Sequence, residues 1–360
     1  MPELRQNFFT KEWVVIATER AKRPEQLIVH RPARELTPFS ANCPFCPGNE
    51  NLTPPEVLRI PNGDGSWRMR VVPNKFAALA REVAPVGAIH CTRRTIQGFG
   101  AHDVIVETTE HSQAMALMSD AHLTDVLRTY KARYDELSLD PRIAHVTIFK
   151  NHGVDAGTSL EHPHSQLIAA PVISYQVRER FSEALRYHYH DDFGVCMFCQ
   201  MIEEELEVNE GVVLVTEHFV GMEPFASPTP FCTHIYPRRH MASFGDISAK
   251  EIADLGRVVR TILAKLYHGL EDPDFNLTAR TGSRRMCRGE VFSLALEHHP
   301  ASDLCRRLRT RLRHVPQHSL TRSRRGISLQ CKGRNHGGST AGDERSSASV
   351  RKTRNPRPKT

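Results

Sequence analysis

The sequence carries the same cysteine pattern twice, and this repetition limits how the chain can fold. Cys43-Pro-Phe-Cys46 lies near the N-terminus and Cys196-Met-Phe-Cys199 opens the second half, both with C-x-x-C spacing. A pattern that recurs in this way predicts an internal duplication, in which one supersecondary unit occurs twice. Two thiolates at this spacing can also share one tetrahedral metal ion.

Bulk properties favour a globular metal-binding protein over one held together by disulfides. The chain has 360 residues, enough for about two domains, and four of its nine cysteines form the two pairs. It has no run of about eighteen apolar residues, and its N-terminus, M-P-E-L-R-Q, lacks the apolar stretch of a signal peptide. We therefore expect a cytoplasmic protein with no membrane partner.

The net charge of +7 is the sum of two regions of opposite sign. Residues 282–360 carry 19 Lys and Arg and 5 Asp and Glu, a net +14, so the other 29 and 36 leave residues 1–281 at −7. Two C-x-x-C pairs in a basic protein suggest a zinc-knuckle nucleic-acid binder, a remote alternative. The basic residues are confined to the tail, which favours no nucleic-acid partner for the rest of the chain.

Hydrophobic periodicity predicts the main elements of the fold. Spacing near 3.6 residues predicts helices at Ala114–Leu137, Tyr175–Asp191 and Ala249–Leu270. Short apolar runs predict strands at Ile143–Phe149, Leu167–Val172, Gly211–Thr216 and Pro230–Tyr236. The helix that ends near residue 190 would connect an N-terminal domain, 1–190, to a second domain, 191–281.

One stretch of sixteen residues, N-H-G-V-D-A-G-T-S-L-E-H-P-H-S-Q from Asn151 to Gln166, has the composition of a phosphate-handling loop between two strands. If the chain is extended there, His162 and His164 point to the same side. An imidazole nitrogen can act as a nucleophile, and hydroxyls, amides and loop N–H groups can stabilise phosphoryl oxygens. H-x-H is also compatible with a metal pair or with two surface histidines.

Five motifs carry a family resemblance. They are R-A-K-R at 20–23, C-P-F-C at 43–46, V-V-P-N-K-F-A-A-L at 71–79, G-A-H-D-V-I-V-E-T at 100–108 and the stretch at 151–166. Residues 1–281 resemble the galactose-1-phosphate uridylyltransferase family of the histidine triad superfamily, which includes sugar-nucleotide phosphorylase relatives. The resemblance implies an α+β fold of two histidine-triad-like halves, each an antiparallel sheet with helices.

The resemblance also implies roles for individual residues. His164 would be the nucleophile, with Gln166 and Ser159 stabilising charge, and the substrate would be bound by Arg20, Arg23, Asn74 and Asn151. The implied zinc ligands are Cys43, Cys46, His102 and His162. A second metal site would use Cys196, Cys199 and His240, with a fourth ligand further on.

The function implied is that of a UDP-glucose–hexose-1-phosphate uridylyltransferase of galactose metabolism. It would act by double displacement through a uridylyl-histidine, with UDP-glucose and galactose 1-phosphate as substrates. Zn²⁺ is the only cofactor implied, and the resemblance implies a homodimer. An ADP-sugar phosphorylase or adenylyltransferase of the same superfamily is the alternative, because nothing in the sequence determines the base.

From Gly282 onward the family pattern stops and the sequence becomes rich in Arg, Ser and His. One interpretation is a disordered basic tail. The sharper hypothesis is a shifted reading frame, because codons compatible with Gly282–Leu320, read one base later, can encode a peptide resembling the family's C-terminal strands. That peptide contains an H-W-H element that would supply the fourth ligand of the second metal site. On this hypothesis the chain lacks that ligand and the loop that would bind the acceptor sugar.

Overall fold

The computed structural model describes residues 2–16, 37–191, 194–282 and 295–300. The strands are β1 (Glu3–Gln6), β2 (Trp13–Ile16), β3 (Leu58–Pro61), β4 (Trp67–Pro73), β5 (Gly87–His90), β6 (Arg93–Ile96), β7 (Ala101–Val106), β8 (His145–His152), β9 (His164–Ala170), β10 (Val212–Val215), β11 (Phe219–Met222), β12 (Thr233–Pro237), β13 (Phe275–Arg280) and β14 (Ala295–Pro300). The α-helices are α1 (Asp120–Ser138), α2 (Tyr175–Arg186), α3 (Met197–Val208) and α4 (Ala249–Leu270). Short helical turns occupy Glu50–Leu52, Met115–Leu117, Tyr187–Asp191 and Phe244–Asp246.

Ten strands form one antiparallel sheet, in the order β10-β11-β12-β14-β13-β8-β9-β7-β4-β3. The two ends of this order repeat one topology: in each half the fifth strand lies between the third and the fourth, as in β3-β4-β7-β9-β8 and β10-β11-β12-β14-β13. A long helix links the third and fourth strands of each half, α1 in the first and α4 in the second. The internal duplication predicted from the repeated cysteines is therefore present in the fold.

The two halves meet through their fourth strands. β8 pairs antiparallel with β13, with Lys150 opposite Leu277 and Asn151 opposite Asn276. The prediction of an α+β fold with antiparallel sheets and helices is confirmed. The sheets of the halves are continuous, because the backbone N–H and C=O groups of each joining strand are satisfied by the other.

The predicted helices agree with the structure except at their ends. The helix predicted from Ala114 begins at Asp120, because Ser119 caps it and accepts a hydrogen bond from the N–H of His122. The helix predicted over Tyr175–Asp191 is α-helical to Arg186 and continues as a π-helical turn over Tyr187–Asp191. The third predicted helix coincides with α4.

Helices α1 and α4 pack together against one face of the sheet and form the main core. Every second residue of the central strands points to this face, as the period-two alternation of a strand requires. The contributing side chains include Ile105, Val146, Ile148 and Leu167 from strands, and Leu123, Leu127, Leu255 and Val259 from helices. The helices approach closely at Gly256, where a Cβ atom would lie 2.9 Å from Oγ1 of Thr124.

The opposite face of the sheet is covered by the two C-x-x-C segments. In the first half, Cys43, Phe45 and Cys46 pack on Val104 and Val106 of β7, residues that alternate with the core residue Ile105. In the second half, Met197, Phe198 and Ile202 of α3 pack on Val220 and Met222 of β11. The alternation of these strands therefore separates a helix-covered face from a face that carries the cysteine segments.

The C-terminal segment is described only in part. Ala295–Pro300 forms β14, which pairs with β12 and β13. The other tail residues from 283 on lie outside the described residues. Among the described helices, none combines the length and the apolar composition needed to cross a membrane.

The start of α4 provides a test of how charge contributes to stability. Ser248 and Glu251 form a capping box, and both carboxylate oxygens of Glu251 accept hydrogen bonds from Arg239, at 2.5 and 3.0 Å. The hydrogen bonding with Arg239 lowers the pKa of Glu251 to about 2 despite its burial. Because the folded-state pKa lies below the unfolded value of about 4.3, the stabilisation is present above that value and is lost as pH falls towards 2.

We expect Glu251→Gln, which keeps the capping hydrogen bonds, to lower the free energy of unfolding at pH 7 by about 1–2 kcal/mol, a range that allows for solvent screening around the half-exposed Arg239. The difference from wild type should shrink as pH is lowered through 4, as measured by urea unfolding. Arg239→Gln is the matched control and should show the same trend. A difference that is independent of pH would contradict the assignment.

Candidate active site

Four buried side chains form a cluster that could hold a metal ion, on the sheet face opposite the long helices. The ligand atoms of Cys43, Cys46, His111 and His162 all lie within 4.8 Å of one another. Sγ of Cys46 lies 3.5 Å from Nδ1 of His111 and 3.6 Å from Nδ1 of His162. With metal–sulfur bonds of about 2.3 Å and metal–nitrogen bonds of about 2.0 Å, tetrahedral coordination requires an S···N separation of about 3.5 Å. The cluster therefore has the dimensions of a tetrahedral site.

The hydrogen bonding of His162 suits a metal ligand. Its Nε2 donates to the backbone carbonyl of Thr108 at 2.8 Å, which leaves the lone pair of Nδ1 directed at the cysteines. Burial lowers the pKa of this imidazole to about 4, so the ring is neutral at physiological pH, as coordination requires.

The structure does not place His102, the predicted fourth ligand, in this cluster. His111 takes its place, because β7 ends at Val106 and the following turn carries residue 111 to the cysteines, while His102 lies inside the strand. The repeat offered a signal for this: His240 follows β12 by three residues and joins Cys196 and Cys199. The first half has its equivalent histidine shortly after the equivalent strand.

The second cluster contains Cys196, Cys199 and His240, the three residues predicted. Sγ of Cys199 lies 3.4 Å from Nδ1 of His240. Hydrogen bonding with the Cys199 thiol lowers the pKa of Cys196 to about 4 despite its burial, so a thiolate is available there. The fourth ligand was expected from the H-W-H element of the shifted-frame peptide, and this sequence does not contain that element.

His164 lies at the start of β9, two residues after the ligand His162, and is only 7% exposed. Its Nδ1 donates to the backbone carbonyl of His162 at 2.8 Å, so in the neutral ring Nε2 keeps its lone pair. Burial lowers the pKa of His164 and favours that neutral form. Phe45, between the two cysteines, packs against both imidazoles, with centroid distances of 6.0 Å to His162 and 5.3 Å to His164. The two imidazoles are therefore held together. They donate hydrogen bonds through different ring nitrogens, Nε2 in His162 and Nδ1 in His164.

A buried ion pair supports His164 from the core side of the sheet. Nζ of Lys150 donates to Glu107 at 2.6 Å and to the backbone carbonyl of His164 at 3.2 Å. Tyr130 and Ser165 donate to the other oxygen of Glu107. Although burial raises the pKa of Glu107, the Lys150 ammonium and these hydrogen bonds hold it below its usual value. The sequence does not predict this network, because an ion pair between separate strands leaves no local pattern in the sequence.

The loop that precedes His162 is held by the second half of the chain. Asp274 accepts the N–H of Asp155 at 2.6 Å, and Nδ2 of Asn276 donates to Oδ1 of Asn151 and to the carbonyl of Ala156, both at 2.9 Å. Asp272 contacts Nε2 of His152 at 2.7 Å. The pairing of β8 with β13 thus brings the carboxylate and amide side chains that order the loop.

The structure brings some of the predicted site residues together and leaves others apart. Asn74, His102 and Gln166 are joined by side-chain contacts on the same face of the sheet as His164. Ser159 lies exposed in the loop. Arg20 and Arg23 lie outside the described residues.

The chain is similar in sequence to a known protein family and to individual proteins of known activity. The sequence profile of the family described as galactose-1-phosphate uridyl transferase, N-terminal domain, matches residues 1–174. The chain is 32% identical over 292 residues to ADP-glucose phosphorylase from Arabidopsis thaliana, covering 81% of each protein. It is 29% identical over 276 residues to galactose-1-phosphate uridylyltransferase from Thermotoga maritima, covering 76% of this chain and 78% of that protein.

A solved structure extends the similarity to the fold. The crystal structure of the Arabidopsis thaliana ADP-glucose phosphorylase with bound ADP-glucose superposes with a TM-score of 0.70 and 32% identity. The match covers 83% of this chain and 89% of that one. The similarity therefore includes both halves of the sheet.

Gly153 and Gly157 allow a direct test of the loop geometry. Both have left-handed backbone angles, φ +86° and +91°, which cost a residue with a Cβ about 1–3 kcal/mol. A Cβ on Gly153 would also lie 1.9 Å from the carboxylate of Asp274, whereas on Gly157 the nearest atom is 3.8 Å away. We expect Gly153→Ala to lower the free energy of unfolding by at least about 1 kcal/mol more than its control, Gly157→Ala, in urea titrations. Equal losses would show that the contact with Asp274 does not restrain the loop.

Proposed function

Because the chain belongs to the galactose-1-phosphate uridylyltransferase family, we propose that it transfers a nucleotidyl group from a nucleotide sugar through a covalent His164 intermediate. The chain is an enzyme of this family. Among the activities of its relatives, we propose UDP-glucose–hexose-1-phosphate uridylyltransferase, with galactose 1-phosphate as the acceptor. The observation that carries the proposal is the hydrogen bond from Nδ1 of His164 to the carbonyl of His162, which leaves Nε2 as a nucleophile.

In the first half-reaction, Nε2 of His164 attacks the α-phosphorus of UDP-glucose. A nitrogen–phosphorus bond forms, and the bond from that phosphorus to the bridging oxygen breaks, which releases glucose 1-phosphate. In the second half-reaction, a phosphate oxygen of galactose 1-phosphate attacks the same phosphorus, and the electron pair of the N–P bond returns to His164. The reaction consumes no oxidant or reductant, and each step exchanges one bond to phosphorus for another.

Negative charge accumulates on the phosphoryl oxygens in both steps. We propose that the side-chain amide of Gln166, the hydroxyl of Ser159 and N–H groups of the loop donate hydrogen bonds to these oxygens. Asn74 and Asn151 would bind the substrate, as would Arg20 and Arg23. The hydrogen bond that Asp274 accepts and the one that Asn276 donates support this assignment, because they order the loop before substrate binds.

We propose that the first cluster holds Zn²⁺ through Cys43, Cys46, His111 and His162. Two thiolates and two imidazoles are a donor set typical of structural zinc, and four protein ligands leave no position open for substrate. When bound, the metal would link the cysteine loop to the strand that carries His164. The metal would therefore hold the site in position, and the imidazole of His164 would carry out the reaction.

The second candidate function is an ADP-sugar phosphorylase, in which inorganic phosphate takes the place of the acceptor sugar phosphate. The similarity to ADP-glucose phosphorylase, at 32% identity, favours it. Both functions use the same first half-reaction at His164, so they differ in the base and in the acceptor.

The ligand assignment predicts which histidine controls metal content. We expect His111→Ala to lose at least half of the bound zinc at the first cluster and to unfold at a lower temperature, because one of four ligands is removed. His102→Gln should keep the wild-type stoichiometry. Zinc is measured by atomic emission on proteins dialysed against a weak chelator, with Cys196→Ser/Cys199→Ser in the background to silence the second cluster. Zinc loss in the His102 variant and not in the His111 variant would reverse the assignment.

The covalent intermediate can be detected directly. We expect intact-mass spectrometry of the chain after incubation with UDP-glucose to show an added uridylyl group, and His164→Gln to show none. A parallel incubation with ADP-glucose tests the second candidate, which predicts an adenylyl adduct instead. An adduct that persists in His164→Gln would exclude this histidine as the nucleophile.

A further inference from the structure

We infer that His102 is a positioning residue that sets the orientation of the Gln166 side-chain amide towards the reacting phosphate. The inference deepens the proposed function and rests on it for the role of Gln166. His102 joins the 74–78 segment to the side chain of Gln166 through two contacts, one at each ring nitrogen.

The protonation of the His102 ring follows from its partners. The backbone N–H of Ala78 donates to Nδ1 of His102 at 3.1 Å, so Nδ1 is an acceptor. In a neutral imidazole the proton must then reside on Nε2, which lies 2.8 Å from Oε1 of Gln166. The resulting chain runs in one direction, from the Ala78 N–H through the imidazole to the Gln166 carbonyl oxygen.

The sheet register places these groups beside the nucleophile. In the pairing of β7 with β9, His102 is opposite Ile168, Val104 is opposite Gln166 and Val106 is opposite His164. Paired residues of an antiparallel sheet point to the same face, so His102, Gln166 and His164 project on one side. His102 on β7 is a diagonal neighbour of Gln166 on β9. Within β9, His164 lies next to Gln166 on the same face.

The orientation of the amide has a chemical consequence. With Oε1 bound by His102, the two Nε2 protons of Gln166 remain available to donate to a phosphoryl oxygen. The opposite orientation would present a carbonyl oxygen to the negatively charged phosphoryl group, which is repulsive. Fixing the amide before substrate binds avoids a reorganisation cost during the reaction.

Asn74 lies beside the His102 ring. Its Oδ1 accepts the N–H of Phe76 at 2.9 Å, so its Nδ2 is the end that faces His102, 3.2 Å from Nε2. Both of these nitrogens are donors in the tautomer derived above, so this contact is not a hydrogen bond. It leaves the Asn74 amide protons available to a ligand on the same face.

The test compares His102→Leu, which cannot donate, with His102→Gln, whose amide can donate to Gln166. In single-turnover adduct formation we expect His102→Leu to lower the rate constant at saturating nucleotide sugar about 10- to 100-fold, with the half-saturating concentration changed less than threefold. His102→Gln should recover at least half of that loss on a logarithmic scale. Both variants should keep wild-type zinc content and urea midpoints. Equal rates in all three proteins, or a loss shared equally by both variants, would overturn the inference.

A second measurement does not depend on turnover. ¹⁵N NMR of the histidine rings, with the His102 signals identified by their absence in His102→Gln, should show the Nε2–H tautomer. An Nδ1–H tautomer overturns the inference even if the enzyme is active. If wild type forms no adduct with either nucleotide sugar, the proposed function fails, whereas the tautomer still decides the hydrogen-bond chain. The two failures are thus distinguishable.

Discussion

The antiparallel pairing of β8 with β13 is the interaction on which the rest of the structure depends. Each strand satisfies the backbone groups of the other, and the two five-stranded halves become one ten-stranded sheet. The same pairing sets Asn276 beside Asn151 and brings Asp274 to the loop before His162. The second half therefore orders the loop of the first, although it contributes none of the proposed reacting groups. The shared sheet joins the duplicated unit to the first half.

Each central strand serves two purposes because its side chains alternate between faces. On β9, His164 and Gln166 point to the face that carries the cysteine segments, while Ser165 and Leu167 point to the helices. Lys150 of β8 lies on the helix side and donates both to Glu107 and to the carbonyl of His164. His164, the proposed nucleophile, is thus held on one side by a buried ion pair and on the other by the cysteine loop. Separating Lys150 from Glu107 would leave a buried charge without its partner, at a large cost in stability. The ion pair therefore restrains the segments that carry the two residues.

His102 and His111 show what a local sequence motif does not determine. His102 and His111 both lie within ten residues of the end of β7, and both are chemically able to bind a metal. The choice between them depends on where the strand ends and how the following turn is directed, which spacing alone does not encode. His102 is held within the strand and its ring contacts the side chain of Gln166. His111 and His240 occupy equivalent positions after the third strand of each half.

The sequence by itself determined the α+β class, the duplication and the position of α4, and it predicted three of the four side chains that meet in the first cluster. These follow from local periodicity and from motifs whose members lie close along the chain. Only the tertiary structure decided the fusion of both halves into one sheet, the choice of His111, the ion pair of Glu107 with Lys150 and the loop contacts of Asp274 and Asn276. The physical reason is that strand pairing brings together residues 43 to 125 positions apart, and a hydrogen bond across such a distance leaves no periodic trace in the sequence.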